Sequence, residues 1–185
     1  MIGAPRKILL MVAAVLMALT SNALCATAER DVSVADLQAA ARALGFLDSL
    51  PRDGTIVVGI VYAPRSSESK ARAGQIAVWL NTFPGPNKSV FRTKIISIAD
   101  LAQSGDRLDA IFLLPGLAGD AAQIVDVTRR RHLVSISNDP ACLEANFCVL
   151  MVRADPSVEI VLHTAMAEAV GASFSSVFTM MVKRK

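Results

Sequence analysis

Two apolar runs constrain this chain more than any other feature. Thr55 to Ala63 and Leu108 to Leu114 are rich in Val, Ile and Leu and lack the polar–apolar alternation of a half-wet strand. A strand without alternation is covered on both faces, which is the condition of a parallel sheet lying between two layers of helices. Leu133 to Ser137 is a third, shorter strand of the same kind, and Ser89 to Ile98 adds a fourth. Helical spacing fills the gaps between them. Leu37, Ala40, Ala41, Leu44 and Leu47 share one face of a helix predicted over Ser33 to Ser49, with Ser33 and Asp36 at capping spacing. A second helix is predicted from Ser66 to Asn81, a short one from Ala99 to Gln103, and another after Gly119, ending in Arg129, Arg130 and Arg131. Strands alternating with helices make an α/β fold with a mostly parallel sheet.

After Asn138 the pattern changes. Phe147 to Ala154 and Ser157 to Leu162 are separated by little more than Asp155-Pro156. A link this short joins antiparallel strands, so a hairpin is appended to the parallel part. A helix from His163 to Val170 follows, stopped by Gly171. Phe174 to Val182 is apolar and is expected to pack back as a strand or a short helix. No linker divides the chain, which gives a single three-layer domain over residues 29–185.

The first 28 residues read differently. Arg6 and Lys7 precede an uncharged run from Ile8 to Ala28, with its apolar heart at Leu9 to Leu19. A basic head, an apolar stretch too short to span a bilayer comfortably and the small residues Ala26-Thr27-Ala28 make a signal peptide cleaved before Glu29, or after Ala26. An uncleaved anchor, or a lipoprotein using Cys25, is the alternative. Cleavage removes two positive charges and no negative ones. The formal charge of +3 then falls to about +1, and the alkaline pI of 9.0 is partly the leader's. Nothing basic enough for nucleic acid remains. The mature product is expected to be periplasmic, with no stable membrane insertion.

Of three cysteines, Cys25 leaves with the leader and Cys142 and Cys148 remain. In an oxidising compartment such a pair is most simply a disulfide; two free buried thiols, or a metal site, are the other readings. The spacing is not that of a CxxC redox motif. No nucleophile elbow, phosphate loop, dinucleotide fingerprint or HExxH is present, and neither of the two histidines, His132 and His163, has a nucleophile motif beside it. His132 is expected at a strand end and His163 at a strand-to-helix junction, where it can cap the helix. Asp139 and Asp155 precede prolines and are read as turn formers. Pro115 to Gly119 is a strand-to-helix turn whose N–H groups are positioned for an anion, but its glycine spacing is too loose for a nucleotide site. Trp79 and Phe83 are expected against the sheet. The reading is of a protein without catalytic, cofactor or metal residues.

The C-terminal third resembles a known family. Asn138-Asp139-Pro140-Ala141-Cys142, Phe147-Cys148-Val149-Leu150-Met151-Val152, Pro156-Ser157-Val158-Glu159-Ile160 and Phe174-Ser175-Ser176-Val177-Phe178-Thr179-Met180-Met181-Val182 are similar to the YfiR-like periplasmic proteins: a D-x-x-C…C-V-L stretch, a P-x-V-E-I strand and an F-S-x-x-F-x-M-M ending. The chain departs from many members in lacking a Trp-Pro end to its first helix, carries His163 where relatives tend to have Asn, and lacks the second cysteine pair that some members have. The resemblance implies a Cys142–Cys148 disulfide and a regulatory role: binding the periplasmic domain of an inner-membrane diguanylate cyclase, holding it off, and releasing it under envelope stress or reduction, with consequences for cyclic di-GMP and biofilm. A homodimer is compatible with it. The alternative function is a small-ligand-binding module of a transport system, since a parallel α/β unit is like one lobe of a periplasmic receptor and needs a second copy to complete the site.

Overall fold

A computed structural model of the chain describes residues 31–51, 54–65, 67–104 and 107–185. The expected leader and Cys25 lie outside the described residues. The chain is an α/β domain built on a seven-stranded sheet of order β2-β1-β3-β4-β5-β6-β7. Its strands are β1 (Thr55–Tyr62), β2 (Val90–Ser97), β3 (Ala110–Leu113), β4 (Val134–Ser137), β5 (Leu150–Arg153), β6 (Glu159–Leu162) and β7 (Lys183–Arg184). β2, β1, β3, β4 and β5 run parallel; β5 and β6 form the antiparallel hairpin, and β7 lies parallel to β6 at the edge.

The helices are α1 (Val34–Leu44), α2 (Ser67–Thr82), α3 (Ile98–Leu101), α4 (Ala121–Arg131), α5 (Ala141–Glu144), α6 (Thr164–Val170) and α7 (Ser176–Met181). The pleat sends alternate side chains to opposite faces, which makes two cores. Ile56, Val58 and Ile60 of β1 and Phe112 of β3 meet α1, α2, α6 and α7. Val61 of β1 and Ile111 and Leu113 of β3 meet α3, α4 and α5 on the other side. Every residue of β3 and β4 is buried, which is why those runs show no polar alternation. Among the described residues, no helix is long and apolar enough to cross a membrane.

Local chemistry sets the ends of several elements. Ser33 Oγ accepts from Asp36 N and Asp36 Oδ2 accepts from Ser33 N, a reciprocal capping box. α1 stops at Leu44, short of the predicted Ser49. The chain leaves the helix there because Phe46 to Asp48 pair with residues 173–175: Asp48 N–H donates to Ser173 O, and Ser175 N–H to Phe46 O. The apolar ending, Phe174 to Val182, forms the short helix α7, and β7 follows it. Phe178 is buried and stacks on both Phe46 and Phe174, at centroid distances of 5.1 Å. Met180 and Met181, apolar in sequence, stay 78% and 64% exposed. Trp79 and Phe83 are half-buried and pack against the α1 and α2 side of the core.

Candidate ligand-binding crevice

Strand order places a topological switch point between β1 and β3. β1 continues into α2 on one face of the sheet, and β3 continues into α4 on the other. Where consecutive connections diverge in this way, a crevice opens beyond the carboxyl ends of the strands, and in open α/β sheets ligands bind there. Ala63-Pro64-Arg65 leads from β1 toward α2, and Leu114 to Asp120 leads from β3 into α4.

The two connections are joined by an ion pair. Arg65 Nη2 donates to Asp120 Oδ1 at 3.2 Å and to Oδ2 at 3.1 Å, and Asp120 is the N-cap residue of α4. Gly119 lies against the guanidinium: a Cβ there would sit 3.6 Å from Arg65 Nη2. Gly116 adopts φ +83°, in the left-handed region that favours glycine. Its N–H donates to Asp139 Oδ2 at 3.4 Å, while Asp139 Oδ1 accepts from Ala141 N at 2.9 Å. The starts of α2 and α4 add the positive ends of two helix dipoles. The crevice therefore carries both signs within a short span: Arg65 and two helix starts against the carboxylates of Asp120 and Asp139.

A buried polar network closes the same sheet edge beside the crevice. Asp36 is 1% exposed and Oδ1 accepts from Ala154 N at 2.7 Å, just past β5. Asn138, also 1% exposed and just past β4, donates through Nδ2 to Asp31 O at 3.3 Å and Asp36 Oδ2 at 3.4 Å. Those two acceptors fix which way the amide points. Asp31 in turn pairs with Arg72 of α2. The stretch before α1 and the first turn of α1 are thus strapped across the carboxyl ends of β4 and β5.

The remaining sequence-singled residues lie elsewhere. Cys142 and Cys148 are both buried and joined by a disulfide, with Cα atoms 5.4 Å apart. The loop they close begins inside α5 and passes through Asn146, at φ +53°. Asn146 Oδ1 accepts from His163 Nε2 at 2.8 Å and from Lys185 Nζ at 3.1 Å, and Lys185 Nζ also reaches Leu143 O. His163 Nδ1 accepts from Met166 N at 3.2 Å, capping α6 as its position in the sequence predicts. Burial, with the nearby Lys185 ammonium, pushes the His163 pKa below its ordinary value. His132 is exposed, ends α4 in the left-handed conformation, and sits 3.1 Å through Nδ1 from Val170 O. Arg130 pairs with Asp126 and Arg131 bonds to Leu101 O, so the arginine run forms a solvated helix end. Among the described residues, no three or more His, Cys, Asp or Glu side chains group as metal ligands.

The Pro115 to Gly119 turn and Asp139 are legible along the chain as parts of the crevice; Arg65 and Asp120 are not. Those two become neighbours through the 2-1-3 strand order, to which neither local stretch testifies.

No family model matches the chain, and no curated protein matches it. Solved structures do. One, the crystal structure of an ABC domain in complex with L-Trp from Streptococcus pneumonia, is 12% identical with a TM-score of 0.50, covering 70% of this chain and 54% of that one. Another, a conserved domain protein from Vibrio cholerae, is 10% identical with a TM-score of 0.59, covering 84% of this chain and 61% of that one. At such identities the likeness shows the α/β fold. The chain spans little more than half the length of either neighbour.

Proposed function

We propose that this domain is a small-ligand-binding module that works by binding without catalysing, and that its ligand sits in the β1/β3 crevice. The observation that carries the reading is the Arg65–Asp120 pair between two helix starts at the switch point. Opposite charges so close together suit a small zwitterion: its anionic group takes Arg65 and the helix N–H groups, and its cationic group takes Asp120 or Asp139. A multiply charged phosphate would meet two carboxylates there. The fold neighbour solved with L-Trp supports this class of ligand. One α/β unit provides one wall of such a site, and a second copy of the chain is the natural second wall. Export of the mature chain to the periplasm fits a receptor of this kind.

Titration calorimetry with a panel of free amino acids tests it. Binding in the micromolar range is expected, weakened about tenfold or more by Arg65→Ala, the usual effect of losing a hydrogen bond to a charged group. A panel without a binder, or one whose binder is indifferent to Arg65→Ala, overturns the assignment.

A second reading keeps the regulatory role implied by the YfiR-like motifs. The disulfide loop supports it: α5, His163 and Lys185 are tied through Asn146, so reduction at Cys142–Cys148 would loosen the C-terminal segment as well as the loop. In this reading the domain restrains an inner-membrane diguanylate cyclase and yields when reduced. Deleting the protein then raises cyclic di-GMP; unchanged levels in the deletion strain exclude it.

A further inference from the structure

A cleft of about 500 Å3 lies on the α1 side of the sheet, where the end of α1 meets the connection between α2 and β2. β2 runs parallel to β1 and this connection precedes it, so the cleft is at the amino edge of the sheet, opposite the β1/β3 crevice. Its walls are Phe46, Phe83, Pro84 and Pro86, with Gln38 and Arg42 one helical turn apart on α1. We propose that it is a second binding site, for a one- or two-ring aromatic carboxylate.

Three observations select that class. First, the walls are flat and stiff. Phe46 is already held in place by stacking on Phe178, and the two prolines have locked φ angles, so little ordering is needed when a ring enters. Second, the polar groups are unspent. The Arg42 side chain is exposed and makes no hydrogen bond or ion pair with the described residues, and neither does the Gln38 side chain. A guanidinium beside an apolar wall is suited to one carboxylate, held by two parallel N–H bonds. Third, no acidic side chain lines the cleft among the described residues. Asp48 lies in the next recess, beyond Gly45 and Pro86, and accepts from Ser173 Oγ at 2.9 Å. An α-amino acid would leave its ammonium unmatched here, and a nucleotide would bring more negative charge than one arginine answers. The volume also falls in the range of small-molecule sites, below what a folded peptide needs.

The site is independent of the crevice ligand, and the test keeps them apart. 2-Naphthoate, 2-naphthamide and tryptophan are titrated against the full chain, read by calorimetry and by amide chemical-shift mapping. Naphthoate is expected to bind with shifts confined to residues 38–46 and 83–87, about tenfold tighter than the amide, from the lost charge-assisted pair. Tryptophan is expected to leave those residues unshifted. Gln38→Glu places a carboxylate one turn from Arg42 on an exposed helix face, so it should weaken naphthoate about tenfold or more without lowering the melting temperature. Arg42→Met should do the same, and Arg65→Ala should change nothing at this cleft. Equal affinity for naphthoate and naphthamide, shifts that map elsewhere, or indifference to both Gln38→Glu and Arg42→Met each overturn the proposal.

Discussion

The parallel half of the sheet and the C-terminal third are held together by different physics. In β1, β3 and β4 the strands are sealed between helices: Ile56, Ile60, Ile111 and Leu113 are fully buried, and apolar packing holds the register. From Asn138 onward the sheet loses its cover, with β6 only partly buried and β7 exposed. There apolar packing is joined by discrete ties: the Cys142–Cys148 disulfide, the His163–Asn146–Lys185 contact, and Lys183 on Glu159 at 2.6 Å, which holds the Glu159 carboxyl below the usual range. Packing of the first kind responds to volume and hardly to solution conditions. Ties of the second kind respond to pH and redox potential. A single domain thus has an insensitive half and a sensitive one.

The largest effect that would sharpen this contrast is a cavity in the parallel half. Ile111→Ala in β3 should cost about 4 kcal/mol, lowering the melting temperature by roughly 10 °C. Val161→Ala in the partly buried β6 should cost about 1 kcal/mol, because that side chain keeps some of its surface in water and leaves a smaller cavity. Equal losses in calorimetric melts would erase the distinction. Next comes the junction of the two regions. Asp36→Ala removes half of the capping box and leaves Ala154 N and Asn138 Nδ2 short of an acceptor, and about 3 kcal/mol is expected from the cap and the orphaned donors together. A denaturant midpoint that barely moves would mean the strap over β4 and β5 is dispensable.

Reducing the disulfide should have a smaller effect. Cys142 and Cys148 are six positions apart. A loop this short restricts the unfolded chain modestly, so reduction should cost about 2 kcal/mol. Hydrogen exchange should show the loss confined to α5, β5 and the His163–Lys185 contact, with β1 and β3 still protected. Loss of protection across the whole sheet would show that the two halves do not separate.

The same division explains what the sequence discloses. Burial on both faces is written into each strand of the parallel half, so β1, β3 and β4 are legible one segment at a time. The Ser33–Asp36 capping box and the His163 cap are equally local. What is not local is hidden. α1 ends early because Phe46 to Asp48 pair with a segment more than a hundred residues away. The four-residue α5 carries one end of the disulfide and is too short to leave a periodic pattern. Met180 and Met181 belong to the apolar ending and are nonetheless exposed, because only Phe174 and Phe178 of that ending reach the Phe46 stack. The crevice and the cleft are both products of strand order and chain return, so neither Arg65 with Asp120 nor Arg42 with Phe83 forms a pattern along the chain.

The finest test concerns His163. In the folded chain Nδ1 must accept from Met166 N while Nε2 donates to Asn146, so the neutral ring fits and the protonated one does not. Desolvation and the Lys185 ammonium both hold its pKa below the unfolded value. The sign follows from linkage. Above the unfolded pKa, near 6.5, both states carry the neutral ring and the cap is intact. As pH falls through that value the unfolded state takes up the proton first, and stability declines until the folded pKa is passed, after which the loss is constant. His163→Asn keeps a side chain able to cap α6 and does not titrate. Its melting temperature should therefore fall less than the wild type's between pH 7.5 and 5.5. Matching slopes in the two proteins would place the pH sensitivity of the C-terminal third elsewhere, and would leave the disulfide as the tie that distinguishes it from the parallel half.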